Sequence, residues 1–471
     1  MKIEQIYTGC LAQGAYYIES EGEAIVIDPL REVSPYIERA IKDNAVIKYV
    51  FETHFHADFV SGHLDLSQKT SAPIVYGPNA KTGFEAYIAT DGEIFSIGKI
   101  KIKVLHTPGH TMESTCYLLL DENGKETALF SGDTLFIGDV GRPDLAQKSD
   151  LTIRDLAGYL YDSLRSKIMP LPNDVIVYPA HGAGSACGKN MSKETTDTLG
   201  NQKLFNYALR ANMTKEEFIK EVTDGLAKPP QYFPQNVKMN KEGYESIDIV
   251  MERGAQALSA AAFEAAANET GAVILDTRRA QVFNQGFIPN SINIGLKGDF
   301  APWVGALIPD VKQELLLVAE IGEEEETILR LARVGYDNVI GYLDGGIDTW
   351  KAANQEMDTI SSISATELAN KVEKENVLVI DVRRPSEFAA EHIDGAKSLP
   401  LDAISELMAE FPKEETMYIH CAGGYRSMIA ASILKSRGYD NLVDVAGGFA
   451  AIAQSGKFKL TDYVCPSTLK K

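Results

Sequence analysis

The stretch Phe51-Glu52-Thr53-His54-Phe55-His56-Ala57-Asp58-Phe59-Val60-Ser61-Gly62-His63 (51–63) follows directly on an apolar run that begins at Ile47. A short apolar run of that kind reads as a buried strand, and the polar residues after it stand in a loop at the strand's end. The arrangement recurs along the chain. His106-Thr107-Pro108-Gly109-His110 follows KIKVL (101–105), Ser131-Gly132-Asp133 follows TALF (127–130), and His181 follows VIVYPA (175–180). Six of the 8 histidines fall within the first 181 residues. Loops at the ends of neighbouring strands converge on one rim. Imidazole and carboxylate groups delivered there from separate strands make a site with the ligand types of a transition metal.

Around these loops the first 240 residues hold many strand-like runs, among them AYYIES (15–20), EAIVID (23–28) and STCYLLL (114–120). Helical runs are fewer, chiefly PYIERAIK (35–42) and DLAGYLYDSLRS (155–166). That balance predicts two packed sheets rather than one doubly wound sheet. The pair Pro229-Pro230 cannot sit inside a helix, which predicts a linker over 228–250.

The remainder contains an internal repeat. VILDTRRAQVF (273–283) aligns with VIDVRRPSEF (379–388), and GYDNVIGYLDGG (335–346) with GYDNLVDVAGG (438–448). A period of about 100 residues is too long for a solenoid unit and indicates two copies of one small domain. Each copy alternates strand and helix, which predicts a parallel sheet covered on both faces. The expected division is therefore 1–245, 250–357 and 362–471, with a junction near 354–362.

In the last copy the strand Met417-Tyr418-Ile419-His420 ends at Cys421, and Ala422-Gly423-Gly424-Tyr425-Arg426 leads into a helix from Ser427. A cysteine between a strand end and a helix N-terminus meets the positive end of the helix dipole, which favours thiolate. The two glycines permit positive φ and let successive N–H groups point at one centre, a cradle for a thiolate or its persulfide. Arg426 adds positive charge for an anionic donor or acceptor.

The ordered motifs HxHxD, HTPGH, SGD and YPAH resemble those of the metallo-β-lactamase superfamily over about residues 1–240. The resemblance implies a four-layer αβ/βα sandwich with its site on one edge. The two-metal hydrolases of that superfamily read HxHxDH, whereas this chain has Phe59 at the sixth position. Phe59 cannot ligate, and His63 lies too far along to replace it. ETHFHADFVSGH (52–63), GDVGRPDL (138–145) and AHGAGSACGK (180–189) are similar to the persulfide dioxygenase branch. That similarity implies one Fe(II) per chain, held by His54, His110 and Asp133, with zinc as a second candidate in purified protein. His56, Asp58 and His181 would orient ligands or bound water. Arg142 is a candidate anchor for an anionic substrate. Cys187 is a candidate thiol beside the metal.

The loop from Cys421 to Arg426, with DVRRPSEF (381–388), HIDGAKSLP (392–400) and VAGGF (445–449), resembles the rhodanese family over about 362–465. The loop has the sulfurtransferase length, one residue shorter than in phosphatases of the same fold. The resemblance makes Cys421 the nucleophile, with Ala422, Gly423, Gly424 and Tyr425 forming the cradle and Arg426 contributing charge. In the first copy, alignment through GYDN puts Val318 at the cysteine position and Glu323 at that of Arg426, followed by further glutamates. The middle copy is therefore expected to be an inactive rhodanese that holds or docks the other two.

Composition narrows the class. Acidic residues number 66 against 46 basic, a net charge of −20, which disfavours nucleic acid and anionic membrane surfaces. Five cysteines do not form a disulfide framework and suggest a reduced, cytoplasmic setting. No leader and no membrane-spanning run is legible. The expected activity is iron-dependent oxidation of a low-molecular-weight thiol persulfide by O2 to sulfite, coupled to sulfur transfer that yields thiosulfate. The carrier thiol (glutathione, coenzyme A or another) is not legible, and a homo-oligomer is left open. Two alternatives stand beside this reading: a zinc thioester hydrolase of the glyoxalase II type with a rhodanese tail, and a non-catalytic sulfur carrier.

Overall fold

In the computed structural model, residues 1–146, 151–189, 191–226 and 228–465 are described. The final positions of the segment expected over 362–471 lie outside them. The chain divides into two compact units: Met1–Val250 with Leu331–Tyr336, and Met251–Arg330 with Asp337–Lys471.

The first unit contains two six-stranded sheets. One runs in chain order from Lys2–Thr8 through Gln13–Ser20, Glu23–Ile27, Val46–Glu52 and Ile74–Tyr76 to Tyr87–Ile88. The other is ordered Asp197–Thr198, Ile176–Pro179, Glu126–Gly132, Thr115–Leu120, Ile100–His106, Ile94–Ile97. The alternation of side chains explains the layering. In Gln13–Ser20, Tyr16 and Ile18 enter the core between the sheets, where they meet Ile102, Val104, Tyr117 and Phe130. Ala15 and Tyr17 face the other way, onto Tyr36 and Ala40 of helix Ser34–Lys42 and Leu66 of helix His63–Thr70. The second sheet does the same: Leu118 and Leu129 pack outward against Ala157 and Leu160 of helix Ile153–Ser163. Strands buried on both faces read as continuous apolar runs, which is why so little polar alternation is visible in them. The result is the four-layer αβ/βα sandwich.

The second unit holds two five-stranded, all-parallel sheets. Their orders are Ala257–Leu258, Val339–Leu343, Leu315–Val318, Val273–Asp276, Ile292–Asn293, and Ser361–Ile363, Leu442–Val445, Met417–His420, Leu378–Asp381, Lys397–Ser398. The topology is identical, so the sequence repeat is a structural repeat. Each copy also carries the same buried clamp at the end of a strand beside the central one, Val273–Asp276 in the first copy and Leu378–Asp381 in the second. Arg278 pairs with Asp276 (Nη2–Oδ2 2.5 Å) and donates to the Gly286 carbonyl. Arg383 pairs with Asp381 (2.6 Å) and donates to the Glu391 carbonyl. A buried guanidinium needs both the charge partner and the extra acceptor, which explains the shared DxR spacing.

The stretch 228–250, which reads as a linker, instead carries the helix Phe233–Glu242 and the start of Ile247–Gly254. Pro229 and Pro230 interrupt the chain only locally. Pro234 sits in the first turn of the next helix, where proline is tolerated. No helix among the described residues is long and apolar enough to cross a membrane.

Candidate metal centre and thiol loop

The four strand ends named by the histidine pattern meet at one rim. Gly132, at φ +52°, makes the approach possible: a Cβ there would lie 2.7 Å from Thr53 Cβ. His54, His110 and Asp133 come together, all buried, with ligand atoms within 4.8 Å of one another. His54 Nε2 and His110 Nε2 face the same oxygen, Asp133 Oδ2, at 3.9 and 3.5 Å.

The outer ring nitrogens fix the tautomers. His110 Nδ1 lies 2.8 Å from the Arg142 carbonyl, which can only accept, so Nδ1 carries the proton. His54 Nδ1 lies 3.0 Å from Thr53 Oγ1. That hydroxyl donates its own hydrogen to Asp28 Oδ2 (2.8 Å) and therefore accepts from His54. In the neutral form that ligation requires, these contacts leave both Nε2 lone pairs turned toward one carboxylate. Burial and the neighbouring histidines His56, His110 and His181 hold His54 well below the usual histidine range, so it stays neutral. Among the described residues neither oxygen of Asp133 has a hydrogen-bond partner. Lone pairs converging on an unpartnered buried carboxylate are repulsive unless a cation lies among them, so these residues fit a metal ion.

A second group lies against the first. His56, Asp58 and His181 also gather within 4.8 Å, and His181 Nε2 reaches Asp58 Oδ2 at 3.4 Å and Asp133 Oδ1 at 3.5 Å. Phe59 is fully buried, its ring 4.3 Å from that of His56. His56 Nε2 is directed to Asp28 Oδ1 (3.1 Å) and Glu52 Oε2 (3.4 Å). Burial alone would lower its pKa, but these carboxylates outweigh it and raise it well above the usual value. Cys187 Sγ lies within 4.8 Å of Asp133 and His181. Burial, with the Asp58 and Asp133 charges, pushes its thiol well up, so it stays protonated.

Arg142 differs from expectation. Its guanidinium is engaged bidentately by Asp144 (2.6 and 2.7 Å), and it meets the site through its carbonyl on His110.

Three contributors escaped the sequence reading. Asp28 orients Thr53 through its N–H (2.8 Å) and hydroxyl. Glu52 is buried between His56 and His63. Asn240, from the supposed linker, clamps the metal loop: its Nδ2 donates to the carbonyls of His56 and Phe59 (2.8 Å each), and its Oδ1 accepts from Ser61 N–H. The visible signal was Pro234 at a helix start with Gly243 at its end. Asn240→Ala should weaken metal affinity about 10–100-fold, as losses of outer support do, measured by chelator competition.

In the last repeat Cys421 is buried and Gly424 N–H donates to its Sγ at 3.1 Å. Gly424 caps helix Tyr425–Ser436 at φ +101°. A second helix, Gly448–Ser455, converges on the same loop: Phe449 N–H donates to the Cys421 carbonyl (2.6 Å) and Ala450 N–H to that of Ala422 (3.0 Å). Gly423 lies exposed at the rim and Ala422 and Tyr425 are half-buried. Arg426 is engaged bidentately by Glu387 (2.6 and 2.8 Å). Its charge therefore reaches the loop already partly neutralised.

The middle repeat requires a correction of one position. Val318 pairs with Asp276 as His420 pairs with Asp381, so Ala319, not Val318, occupies the cysteine position. Alignment through the later GYDN motif missed this because the intervening loop and helix differ in length. Alanine is no more a nucleophile than valine. Glu323 is bonded to Lys297 (2.8 Å). Glu323→Ala should leave thiosulfate formation unchanged; a strong loss at unaltered stability and oligomer size would reveal a catalytic role for this repeat.

Comparison with known proteins agrees with this architecture. Residues 8–181 match the metallo-beta-lactamase superfamily model, and 259–353 and 364–455 match the rhodanese-like domain model. A metallo-beta-lactamase from Staphylococcus aureus is 32% identical, with TM-score 0.66, covering 72% of this chain and 98% of its own. ETHE1 from Myxococcus xanthus is 28% identical, with TM-score 0.43, covering 51% of this chain and 98% of its own. A probable hydroxyacylglutathione hydrolase of Schizosaccharomyces pombe is 30% identical over 35% of this chain and 60% of its own length. The match thus spans about 60% of that curated relative. Fold and site define a metal-binding αβ/βα domain joined to two parallel α/β domains. The chain belongs to the metallo-beta-lactamase superfamily, and two rhodanese-like domains follow the superfamily domain.

Proposed function

We propose that the chain is a non-haem Fe(II) persulfide dioxygenase coupled to a thiosulfate sulfurtransferase. The net oxidation is RSSH + O2 + H2O → RSH + SO3²⁻ + 2 H⁺, with RSSH a low-molecular-weight thiol persulfide. The observation that carries this reading is Phe59, packed on His56 where a two-metal hydrolase has a ligand. With that ligand absent, His54, His110 and Asp133 are the set that would hold one ion, and two histidines with one carboxylate suit Fe(II). When bound, the ion supplies a redox-active centre with open positions for O2 and the sulfur donor. The chain's own residues do the rest. Thr53 and the Arg142 carbonyl keep both imidazoles in the ligating tautomer. Phe59 and the surrounding burial keep bulk water out. His181 and Asp58, 3.4 Å apart, would orient the ligands or bound water.

In the last domain the Cys421 thiolate would attack the sulfane sulfur of a donor, forming one S–S bond as another breaks. The resulting persulfide passes that sulfur to sulfite, giving thiosulfate and restoring the thiolate. The domains are assigned to 1–245 for oxidation, 250–357 for the inactive repeat and 362–471 for transfer.

A second reading is favoured by the hydroxyacylglutathione hydrolase relatives and by Asp133, whose two oxygens face the two groups separately. It is a zinc thioester hydrolase with a rhodanese tail. O2 uptake by iron-loaded protein with a panel of persulfides, run beside thioester hydrolysis by zinc-loaded protein, tests both. One iron per chain and persulfide-dependent O2 uptake support the first. Two tightly bound metals with His181 as a ligand, and hydrolysis without O2 uptake, overturn it.

A further inference from the structure

Helix Tyr425–Ser436 carries no polar face along its middle: Ser427, Met428, Ile429, Ala430, Ala431, Ser432, Ile433 and Leu434 are all buried. A helix on one face of a single small sheet keeps a solvent-facing stripe. Here the middle repeat covers that stripe. Tyr425 OH donates to the Gly295 carbonyl at 2.8 Å. Two turns on, Ser432 Oγ accepts from Asn293 N–H at 2.9 Å. At the far end, Lys435 Nζ lies 3.4 Å from Asp358 Oδ1. Residues 425, 432 and 435 share one helix face. The Tyr425 ring lies directly on Gly298, where an added Cβ would stand 2.8 Å from the ring. Gly424, whose N–H donates to Cys421 Sγ, immediately precedes Tyr425.

We propose that the middle repeat, which lacks a nucleophile of its own, positions the thiol loop of the last repeat, with Tyr425 seated on Gly295 and Gly298 as the positioning residue. Moving the ring moves Gly424 N–H, and with it the donor aimed at the sulfur. The proposal rests on the reading of Cys421 as the sulfur-carrying nucleophile. Gly298 is then glycine because the ring needs its Cα surface, and the domain is retained because the loop is aimed from outside its own fold.

The test uses the full chain, with thiosulfate as donor and glutathione as acceptor, beside the rate at which iodoacetamide alkylates Cys421. Gly298→Ala should lower kcat about tenfold with KM for thiosulfate changed less than about twofold, since small misplacements act on turnover. It should slow alkylation in parallel. Tyr425→Phe, which keeps the ring and removes one hydroxyl, should show the same pattern more weakly. In a Tyr425→Ala background, adding Gly298→Ala should change nothing further, because the methyl then has nothing to displace. Equal losses from Gly298→Ala in both backgrounds, or unchanged kcat and alkylation in Gly298→Ala and Tyr425→Phe, would overturn the proposal. A wild-type chain that transfers no sulfur, or transfer that survives Cys421→Ser, would instead overturn the reading beneath it, while the alkylation rates still report on the loop.

Discussion

His110→Ala is expected to abolish persulfide-dependent O2 uptake while leaving thiosulfate:thiol sulfurtransfer intact. His110 Nε2 is one of two imidazole lone pairs aimed at Asp133 Oδ2, and its Nδ1 is locked by the Arg142 carbonyl. Removing it leaves only two of the three protein donors. The loss should exceed about 100-fold, the upper range for merely disturbing groups that support a ligand. Metal content gives an independent readout: the variant should hold well under one iron per chain after the loading that fills the wild type. Full iron content with full O2 uptake would remove His110 from the ligand set. Asp133→Asn is the companion test, because an amide keeps the shape but drops the charge that both imidazoles face.

The complementary expectation concerns Cys421→Ser. A serine hydroxyl stays protonated at neutral pH and cannot accept a sulfane sulfur, so sulfurtransfer should fall by more than about 1,000-fold, as expected when a covalent nucleophile is removed. The substitution preserves the loop, since Gly424 N–H can still donate to the smaller Oγ and Phe449 N–H still meets the backbone carbonyl. Cys421 and the histidine centre lie in separate compact units. O2 uptake with a small persulfide should therefore persist, and the product should shift from thiosulfate toward sulfite. Product separation after thiol trapping, run beside an oxygen electrode, reads both quantities at once. If O2 uptake stopped as well, Cys421 would be feeding sulfur to the iron. The order of events proposed here, oxidation first and transfer second, would then be reversed.

Much of this molecule is legible before any coordinates. The histidine loops are readable because each follows a mainly apolar strand, so the apolar run announces the strand and the polar residues announce its end. The repeated DxR motif and the GYDN and glycine segments identify two copies of one fold, since the same buried ion pair and the same turns impose the same residues twice. Phe59, an apolar residue among ligand types, marks the likeness to a one-metal site without any distance being known.

What only the tertiary structure decided is where polar groups spend their hydrogen bonds. Arg426 reads as a free cation in sequence, yet Glu387, 39 residues away in the chain, engages its guanidinium bidentately. Asn240 lies 184 residues from His56 and reaches its carbonyl only through folding. The placement of Ala319 followed from strand register, which a loop of altered length hides from alignment. Residue type and spacing determined the kinds of chemistry available. Long-range hydrogen bonding, invisible to local pattern because its partners are distant in the chain, decided which of those groups face the site.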